Sequence, residues 1–412
     1  MRILVTYGPI CLAFRGSFDF ENLRNDPRGL TGSEYGFIRI AEELRDAGHE
    51  VDLCTVAAQT EWNGMRVLRE PDGHYDVAVS INEPDTLRGV DANVRVCCFW
   101  LNSFSFCRAG FEDNVDLFCS PSQPHLEQIL TNQEWRKVEV TGQYPDGRCL
   151  YEPDPSKWMV IPLGCDPERY PDIPKIHGRV IYASSPDRGL HWLMQEWPAI
   201  KRAVPRAHLK IFYRLEPWLR QFDSVPYHPP IERLRARALY IEEALRRMSG
   251  PEWGIEVVGS VSRKRIEREM AEAEVLAYPC DPVSWSEGFS CTILEACAAR
   301  ACPVITDCDA LGEVYAGVPM TSQGNISDWR ELVILALIES RPRDEWNRKA
   351  RVFAERHTWK ATTQKLLAPI EQLKGNHDQE TKAQATTETI LKGDDNDDSK
   401  NGQQVYCQEQ GW

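Results

Sequence analysis

One stretch decides how the fold is interpreted: Ser284-Trp285-Ser286-Glu287-Gly288-Phe289-Ser290-Cys291-Thr292-Ile293-Leu294-Glu295-Ala296-Cys297. The residues from Thr292 to Arg300 favour a helix and include neither Gly nor Pro, and Ser290 before them is a suitable N-cap. The stretch therefore predicts a tight turn that carries Glu287, followed by a helix. Free N–H groups at the helix start, with Gly288 allowing close backbone approach, predict a site for a phosphate or a sugar hydroxyl.

Two carboxylates flank this anion site, Glu287 in the turn and Glu295 in the helix, with seven residues between them. Carboxylates accept hydrogen bonds from sugar and ribose hydroxyls, while backbone amides hold a diphosphate. The layout therefore suits a nucleotide-sugar. An ordinary helix with a surface Glu at each end is the alternative interpretation, because short motifs also arise by chance.

The surrounding sequence favours a ligand site. An apolar segment, Val275–Pro279, precedes the stretch, and a second, Cys302–Thr306, follows it. Strand, loop, helix and strand in this order form a parallel-sheet unit, in which ligands bind at the carboxyl ends of the strands.

The residues from Glu287-Gly288-Phe289 through Glu295-Ala296 resemble the E-x7-E motif of the family 4 retaining glycosyltransferases. This resemblance implies an α/β chain with the GT-B fold, in which two doubly wound, Rossmann-like parallel-sheet domains face each other across a cleft. It also implies retaining, metal-independent transfer of a sugar, with hexosyl transfer expected, from a UDP- or GDP-linked donor. No further cofactor is expected.

Three more segments resemble the same family. Gly29–Glu34 is similar to its Gly-Gly loop, with Thr31 in place of the first Gly, although Thr31 or Ser33 could equally be a helix cap. Val160–Pro167 resembles the V-I-P-N-G-V-D segment that closes the first domain. Ser184–Gly189 resembles the first turn of the nucleotide domain.

Arg188 in that turn matches the basic residue that contacts the diphosphate, and a guanidinium suits bidentate phosphate binding. The family commonly has a second basic residue earlier in the turn, where this chain has Ser184 or Ser185. Charge neutralisation would then depend on turn amides or on an Arg elsewhere. A solvated turn residue is the alternative for Arg188.

By resemblance, Glu287 and Arg188 are the catalytic residues: Glu287 orients the donor sugar and Arg188 stabilises the departing diphosphate. Glu295 contacts the ribose, and Asn102 stands where many relatives carry a His that contacts the sugar. The expected donor-binding residues are Gly32, Asn102, Ser184, Ser185, Arg188, Arg263, Gly288, Phe289, Ser290 and Glu295. Arg263 would lie near the nucleobase.

Four segments are expected along the chain. They are residues 1–166, an N-terminal Rossmann-like domain on the acceptor side; 167–355, a nucleotide-sugar-binding domain; 356–374, a closing helix that returns to the first domain; and 375–412, a disordered acidic tail. A basic helix from Glu232 to Arg247 within the second domain is interpreted as a solvated face.

Composition excludes several classes of protein. The net charge of −14 gives no general support for binding nucleic acid or anionic membranes, although a local basic cleft stays open. The fourteen cysteines include no C-x-x-C pair, and Asp307-Cys308-Asp309 is interpreted as a loop, so no metal is expected. Gly8 and Pro9 interrupt the apolar N-terminus, and no apolar stretch is long enough to span a bilayer, which predicts a cytoplasmic protein.

Two other classes remain open. A GT-B epimerase would act on a nucleotide-sugar without any acceptor, and a catalytically silent protein would only bind it. The interpretation as a catalytically silent protein remains possible because Asn102 stands in place of the usual His, and Asn cannot carry charge at neutral pH. The acceptor of a transferase could be a glycan, lipid, protein or modified nucleic acid, and the last would make this a phage-type enzyme that modifies DNA.

Overall fold

The first half of the chain builds an eight-stranded sheet and a separate hairpin. The strands are β1 (Arg2–Thr6), β2 (Glu50–Cys54), β3 (Glu61–Trp62), β4 (Met65–Leu68), β5 (Tyr75–Ile81), β6 (Ala92–Cys98), β7 (Leu117–Ser120), β8 (Lys137–Val140), β9 (Gln143–Leu150) and β10 (Trp158–Val160). The sheet order is β10-β7-β6-β5-β1-β2-β4-β3, and β8 pairs with β9. All pairs in the large sheet are parallel except β3 with β4.

The second half builds a six-stranded sheet in which every pair is parallel. Its strands are β11 (Arg179–Tyr182), β12 (His208–Ile211), β13 (Ile255–Val257), β14 (Val275–Tyr278), β15 (Cys302–Asp307) and β16 (Met320–Ser322). The order is β13-β12-β11-β14-β15-β16. The two doubly wound domains predicted from the sequence are therefore present.

Eleven α-helices connect and cover the sheets in the described part of the chain, which in this computed structural model comprises residues 1–12, 15–140, 143–222 and 229–394. They are α1 (Gly32–Asp46), α2 (Gln123–Thr131), α3 (Leu190–Ala203), α4 (Leu215–Arg220), α5 (Pro229–Arg247), α6 (Arg263–Glu272), α7 (Cys291–Ala299), α8 (Leu311–Val314), α9 (Ile326–Ile338), α10 (Ser340–Arg356) and α11 (Trp359–Asp394). Within that part, no helix is both long and apolar enough to cross a membrane.

The start of α1 settles which residue caps it. Thr31 accepts a hydrogen bond from the backbone N–H of Glu34, and the Glu34 carboxylate accepts one from the N–H of Thr31 at 2.7 Å. This capping box satisfies two N–H groups that lack helical partners. It fixes the loop just before Gly32, the residue expected to lie against the donor.

The hairpin of β3 and β4 is absent from the sequence-based prediction. Its turn is Asn63-Gly64, and both residues have positive φ, 49° and 75°. This turn type matches the right-handed twist of the flanking strands, which is why Asn-Gly favours it. The strands are too short to show a clear apolar alternation, so the turn is the stronger signal.

A buried aromatic core holds the second domain together. Trp197 of α3 and Trp329 of α9 are fully buried in it, and each indole N–H donates to a backbone carbonyl, that of Trp253 and that of Val304, both at 2.9 Å. Satisfied polar atoms let these large rings pack without an unpaired donor.

The chain returns to the segment 160–167 after the second sheet. The N–H of Cys165 donates to His357 O at 2.9 Å, and the N–H of Trp359 donates to Cys165 O at 3.2 Å. The closing helix expected over 356–374 is α11, which begins at Trp359 and continues through Asp394. Helix-forming residues such as Gln, Glu, Lys and Ala continue past the expected end and explain this extension.

The described residues divide after Leu366 into two units, so both sheets lie in the first unit. Residues 395–412 of the expected tail lie outside the described residues. The division into segments at 166, 355 and 374 stays a prediction.

Candidate functional site

The loop before α7 contacts the first domain directly. The Asn102 amide donates to the carbonyl oxygen of Ser286 at 2.8 Å, and the Ser122 hydroxyl donates to that of Gly288 at 2.6 Å. Both first-domain residues follow strands of the large sheet, β6 and β7 respectively. The loop therefore lies where the carboxyl ends of the two sheets meet, as expected for ligand sites in such folds.

His125 packs against the same loop. A Cβ on Gly288 would lie 2.5 Å from His125 Cδ2, so the imidazole ring requires glycine at this position. The ring is fully buried between Leu101 O, 3.1 Å from Nε2, and Ser120 Oγ, 2.8 Å from Nδ1. A carbonyl only accepts, so Nε2 carries the proton. Burial lowers the pKa of His125 to about 4, and the ring is neutral at pH 7.

Glu287 forms an ion pair with Arg188. The Arg188 guanidinium donates to Glu287 Oε1 through Nε and to Asp187 Oδ2 through Nη1. Burial raises the pKa of Glu287, and the charge of Arg188 opposes that rise. The Tyr278 hydroxyl also hydrogen-bonds Glu287 and lies 3.2 Å from Ser184 Oγ. The one cation predicted for the diphosphate therefore faces two carboxylates.

The turn that presents Arg188 can form only with glycine after it. Gly189 has φ of 93°, and a Cβ there would lie 1.7 Å from the carbonyl oxygen of Pro279. The Ser185 carbonyl accepts from the Arg188 N–H at 2.9 Å and from the Tyr182 hydroxyl at 2.7 Å. The turn thus packs against the end of β14, beside the loop of Glu287.

A second cation lies near this turn. Arg237 of α5 donates to Asp281 Oδ2 at 2.7 Å, and His191 Nε2 is 3.3 Å from the same oxygen. Burial alone would raise the pKa of Asp281, but these two partners hold it at about 2. The prediction that the Arg residues of this helix form a solvated face is therefore wrong for Arg237. It was missed because the contact spans distant parts of the chain.

Asp309 supports the backbone that carries Glu287. Its Oδ2 accepts from the N–H groups of Ser286 and Glu287 at 2.8 and 2.9 Å. Asp309 has φ of 51°, a left-handed conformation that is uncommon outside glycine. Asp307, the other carboxylate of the D-x-D pattern, is exposed. Within the described ranges, no three His, Cys, Asp or Glu side chains are grouped to hold a metal ion.

Glu295 is engaged by Arg263 at the far side of α7. Arg263 Nη1 lies 2.6 Å from Glu295 Oε1, and its Nε lies 3.1 Å from Glu267 Oε1. Its Nη2 donates to the Tyr170 hydroxyl at 2.9 Å, and the guanidinium lies 4.0 Å from the centre of the Tyr35 ring. Arg263 is thus buried and already fully partnered by protein groups.

The first-domain loop before α1 closes this side of the site. Arg24 reaches Glu267 at 2.5 Å, and a Cβ on Gly29 would lie 2.7 Å from the carbonyl oxygen of Val261. A Cβ on Gly32 would lie 3.1 Å from Cys291 Sγ. These glycines allow the backbone of the first domain to approach the start of α7 closely.

Phe289 and Ser290 form the entry to α7. Phe289 is buried and packs edge-on against Tyr315, whose hydroxyl donates to the Ser290 carbonyl at 2.7 Å. Ser290 has φ of 74°, and its side chain makes no capping hydrogen bond, so the prediction that it caps the helix is wrong. A strained non-glycine residue held by its neighbours is a feature of functional sites.

The structure thus groups the sequence-predicted residues in two clusters on either side of the α7 start. One holds Ser184, Ser185, Arg188, Glu287 and Asn102, and the other Gly32, Arg263 and Glu295, with Gly288, Phe289 and Ser290 between them. Sequence reasoning missed Ser122, His125, Asp309, Tyr278 and Glu267. Of these, Ser122, Tyr278 and Asp309 lie at or just after strand ends, which was their visible signal.

A family model matches the second half of the chain. Residues 176–334 match the family described as Glycosyl transferases group 1. The match runs from just before β11 into α9 and so contains Arg188, Glu287 and Glu295. No curated protein matches the chain in a sequence search.

Solved structures share the fold over most of the chain. Sucrose-phosphate synthase from Thermosynechococcus elongatus has a TM-score of 0.58 at 12% identity, over 90% of this chain and 98% of that one. The Anabaena protein HepE, solved in complex with UDP and glucose, has a TM-score of 0.58 at 14% identity, over 90% and 100%. AviGT4, a glycosyltransferase involved in avilamycin A biosynthesis, has a TM-score of 0.55 at 16% identity, over 91% and 98%.

At these identities the solved structures are evidence of the fold alone, and they confirm the GT-B fold expected from the sequence. The chain thus combines the GT-B fold with a second half, residues 176–334, that matches the glycosyltransferase group 1 model.

Proposed function

We propose that this glycosyltransferase is a retaining, metal-independent enzyme of the family 4 type that transfers a hexose from a nucleoside-diphosphate sugar. The observation that carries the proposal is the pairing of the two motif carboxylates. Glu287 meets Arg188 and Glu295 meets Arg263, at opposite sides of one helix start that faces the first domain. UDP is the expected nucleotide, which the UDP and glucose bound to the similar protein HepE support.

Arg188 and the turn amides would stabilise charge on the departing diphosphate. In the structure Arg188 contacts Glu287 and Asp187, and a bound diphosphate would take the place of these carboxylates on the guanidinium. Phosphate matches the fork of a guanidinium better than two separate carboxylates do. Arg237 lies near the same turn and supplies a second positive charge, which the turn itself lacks. Such preorganised charge is a main source of rate enhancement.

Glu287 would orient the donor sugar once the diphosphate occupies Arg188. Asp309 holds the Glu287 backbone, and Asn102 holds the preceding residue Ser286, so the position of the carboxylate is fixed from both domains. By resemblance to the family, the acceptor attacks on the face that the nucleotide leaves, which retains the anomeric configuration. No protein nucleophile is assigned.

Glu295 would accept hydrogen bonds from the ribose hydroxyls. Its Oε1 contacts Arg263, and this positive charge favours the ionised carboxylate, whereas burial raises the pKa of Glu295. The second oxygen is the one proposed for the ribose. An ionised carboxylate is an acceptor-only group, which suits a pair of hydroxyl donors.

The proposal is tested by incubating the purified protein with UDP- and GDP-sugars and following nucleotide release. Each reaction is run with and without a chelator, and with and without a panel of glycan and lipid acceptors. We expect nucleotide release from one donor class, and the chelator should not affect it. The anomeric configuration of the product linkage, axial or equatorial, should match that of the donor. Release that needs no acceptor and yields an altered sugar would indicate an epimerase. Donor binding without release would indicate a silent binding protein, and loss of release with the chelator would contradict metal independence.

A further inference from the structure

A basic cavity of about 410 Å³ lies on the other side of the second domain. It is enclosed by α10, by the C-terminal end of α7 and by the segment that leads into β11. Five cationic side chains line it: Lys175, Arg300, Arg343, Arg348 and Arg351. Two carboxylates, Glu274 and Asp344, line it as well. Cations therefore outnumber anions on the wall.

Partners of these cations leave room for an incoming anion. Arg343 is paired with the buried Glu274 at 2.9 Å, and both residues of this ion pair line the cavity. Arg300 contacts Asp172, whose side chain is 89% exposed, at 2.9 Å. Exposed ion pairs contribute little, so an anion that binds inside the cavity can replace Asp172 at small cost.

Lys175 on the cavity wall is held by two helix ends. Its ammonium donates to Ala271 O and to Ala299 O, both at 2.8 Å, and these carbonyls end α6 and α7. Burial, together with the positive charges of Arg300 and Arg343, lowers the pKa of Lys175 to about 7. A group in this state gains a full positive charge when an anion arrives.

The wall also offers a group that a hydroxyl could satisfy. Asn347 on α10 lines the cavity. The Asn347 side-chain amide can both donate and accept hydrogen bonds, which suits a hydroxyl group. Asp344, which precedes it by three residues, lines the same wall and accepts hydroxyl hydrogen bonds too.

We propose that this cavity binds a small phosphorylated metabolite that carries hydroxyl groups, such as a sugar phosphate. The guanidinium forks of the wall match a phosphate monoester. The acceptors Asn347 and Asp344 match the hydroxyls. The site contains neither Glu287 nor Arg188, so its ligand acts as an effector and not as the donor, and the proposal does not depend on the proposed function.

The location indicates how the effector would act. The cavity touches the C-terminal end of α7, whose N-terminal end forms the donor site, and the segment after residue 167 that joins the two domains. Arg351 strengthens this link, because it donates to Ala298 O in α7 and to Pro167 O at 3.1 Å. An anion bound here would restrain both elements together.

Calorimetry on the full chain tests the site with three probes: inorganic phosphate, glucose 6-phosphate and uncharged glucose. We expect glucose 6-phosphate to bind more tightly than phosphate and glucose not to bind. Arg348→Gln should weaken binding about tenfold, because a charge-assisted hydrogen bond is lost. Arg341→Gln, on the same helix but outside the cavity, is the matched control and should bind like the parent.

Occupation of the donor site by the probe is excluded with Arg188→Gln. If this variant loses phosphate binding while Arg348→Gln keeps it, the anion binds at the donor site and the proposal is wrong. Absence of heat with both phosphate and glucose 6-phosphate at millimolar concentration overturns it as well. Either result leaves nucleotide release from a donor, the test of the proposed function, unaffected.

Proton uptake provides an independent measurement. An anion beside Lys175 raises its pKa, so at about pH 8 binding should take up a proton, and the observed heat should depend on the buffer. Charged groups that face Lys175 are Arg300, Arg343, Asp172 and Glu274, with Arg348, Arg351 and Asp344 on the rest of the wall. Lys175→Gln keeps donors for the two carbonyls and should abolish the buffer dependence. Buffer-independent heat in the parent would contradict the role of Lys175.

Discussion

The two ion pairs at the start of α7 have the same composition but different surroundings. Each consists of one Arg between two carboxylates: Arg188 between Asp187 and Glu287, and Arg263 between Glu267 and Glu295. Arg263 is further held by the Tyr170 hydroxyl and the Tyr35 ring, and its side chain is only 5% exposed. The Arg188 side chain is 18% exposed and contacts carboxylates alone.

This difference separates a pair that can exchange partners from one that cannot. A diphosphate can replace the carboxylates on Arg188, because this guanidinium is more exposed than that of Arg263 and the Asp187 side chain is 22% exposed. Removing Arg263 would leave Glu295 without this cation and the buried Glu267 with Arg24 alone, which costs far more than an exposed pair contributes. The Arg188 side is therefore expected to act on ligands, and the Arg263 side to tie the two domains together.

The largest effect is expected when the structural pair is broken. Arg263→Gln should lower the free energy of unfolding by about 3–5 kcal/mol, because it leaves Glu295 without this cation and the buried Glu267 with Arg24 alone. Denaturant unfolding measures this loss. Arg188→Gln should cost less, since Asp187, one of its two partners, is 22% exposed and can be hydrated.

Arg268→Gln is the matched control for that experiment. Arg268 lies on the same helix as Arg263, is 73% exposed and pairs with Glu272 at 3.0 Å. Its loss should change stability by no more than about 0.5 kcal/mol. Equal costs for Arg263→Gln and Arg188→Gln would remove the distinction between the two pairs.

The first domain adds a titrating group on the Glu287 side only. His125 packs against Gly288 with its pKa lowered by burial from 6.5 to about 4. Between these two values the unfolded chain binds the proton and the folded chain does not, so stability is lost as pH falls. The loss should reach about 3 kcal/mol by pH 4.

Thermal unfolding at a series of pH values measures this loss in the parent and in His125→Gln. The variant lacks the titrating ring and should show a shallower decline between about pH 6.5 and 4. His74→Gln replaces an exposed histidine and should follow the parent. A decline of the same steepness in the parent and His125→Gln would mean that other groups cause the acid sensitivity.

Substitutions of the two motif carboxylates, Glu287 and Glu295, should affect different steps, turnover and nucleotide binding respectively. Glu287→Gln should lower turnover about a hundredfold, since the sugar is no longer oriented. It should not weaken nucleoside diphosphate binding, because Arg188 loses a competing carboxylate. Glu295→Gln should weaken nucleotide binding about tenfold, because one charge-assisted hydrogen bond is lost. Calorimetry with UDP, beside a turnover assay, separates the two results.

Melting temperatures of both variants accompany these measurements, since Glu295 also pairs with the buried Arg263. If UDP binding falls equally in both variants, the two ends of the motif share one role and the comparison fails.

Much of this site was predictable because it is encoded locally. The apolar runs of β14 and β15 and the helix formers between them predict strand, loop and helix from neighbouring residues. The glycines at 189 and 288 were recognised as turn and loop residues, and Thr31 was one of two caps considered. These features depend on backbone conformation, which short sequences determine.

What could not be predicted comes from contacts between distant residues. Ser122 and His125 reach Gly288 from the other domain, and Arg237 reaches Asp281 from another helix. No periodicity or motif specifies which side chains meet across a cleft. Ser290 was assigned as a helix cap by residue type, but its backbone is held at positive φ by packing around Tyr315, so the hydroxyl does not cap.

The smallest effect expected concerns Asn102, which was predicted to contact the donor sugar. In the structure its amide donates to Ser286 O, so it supports the loop on the Glu287 side and makes no equivalent contact with Glu295. Asn102→Ala should therefore cost about 1 kcal/mol of stability, the value of one hydrogen bond. Asn114→Ala is the matched control, because Asn114 donates to the Gly110 carbonyl at 3.2 Å in the same domain and away from the site. Binding measurements on Asn102→Ala decide between the two roles. If Asn102 only supports the loop, the variant should bind UDP and the UDP-sugar more weakly by the same factor. If Asn102 contacts the sugar, the variant should bind the UDP-sugar more weakly and UDP as tightly as the parent does. We expect equal factors, and a selective loss for the intact donor would return Asn102 to the sugar-binding role predicted from its place after β6.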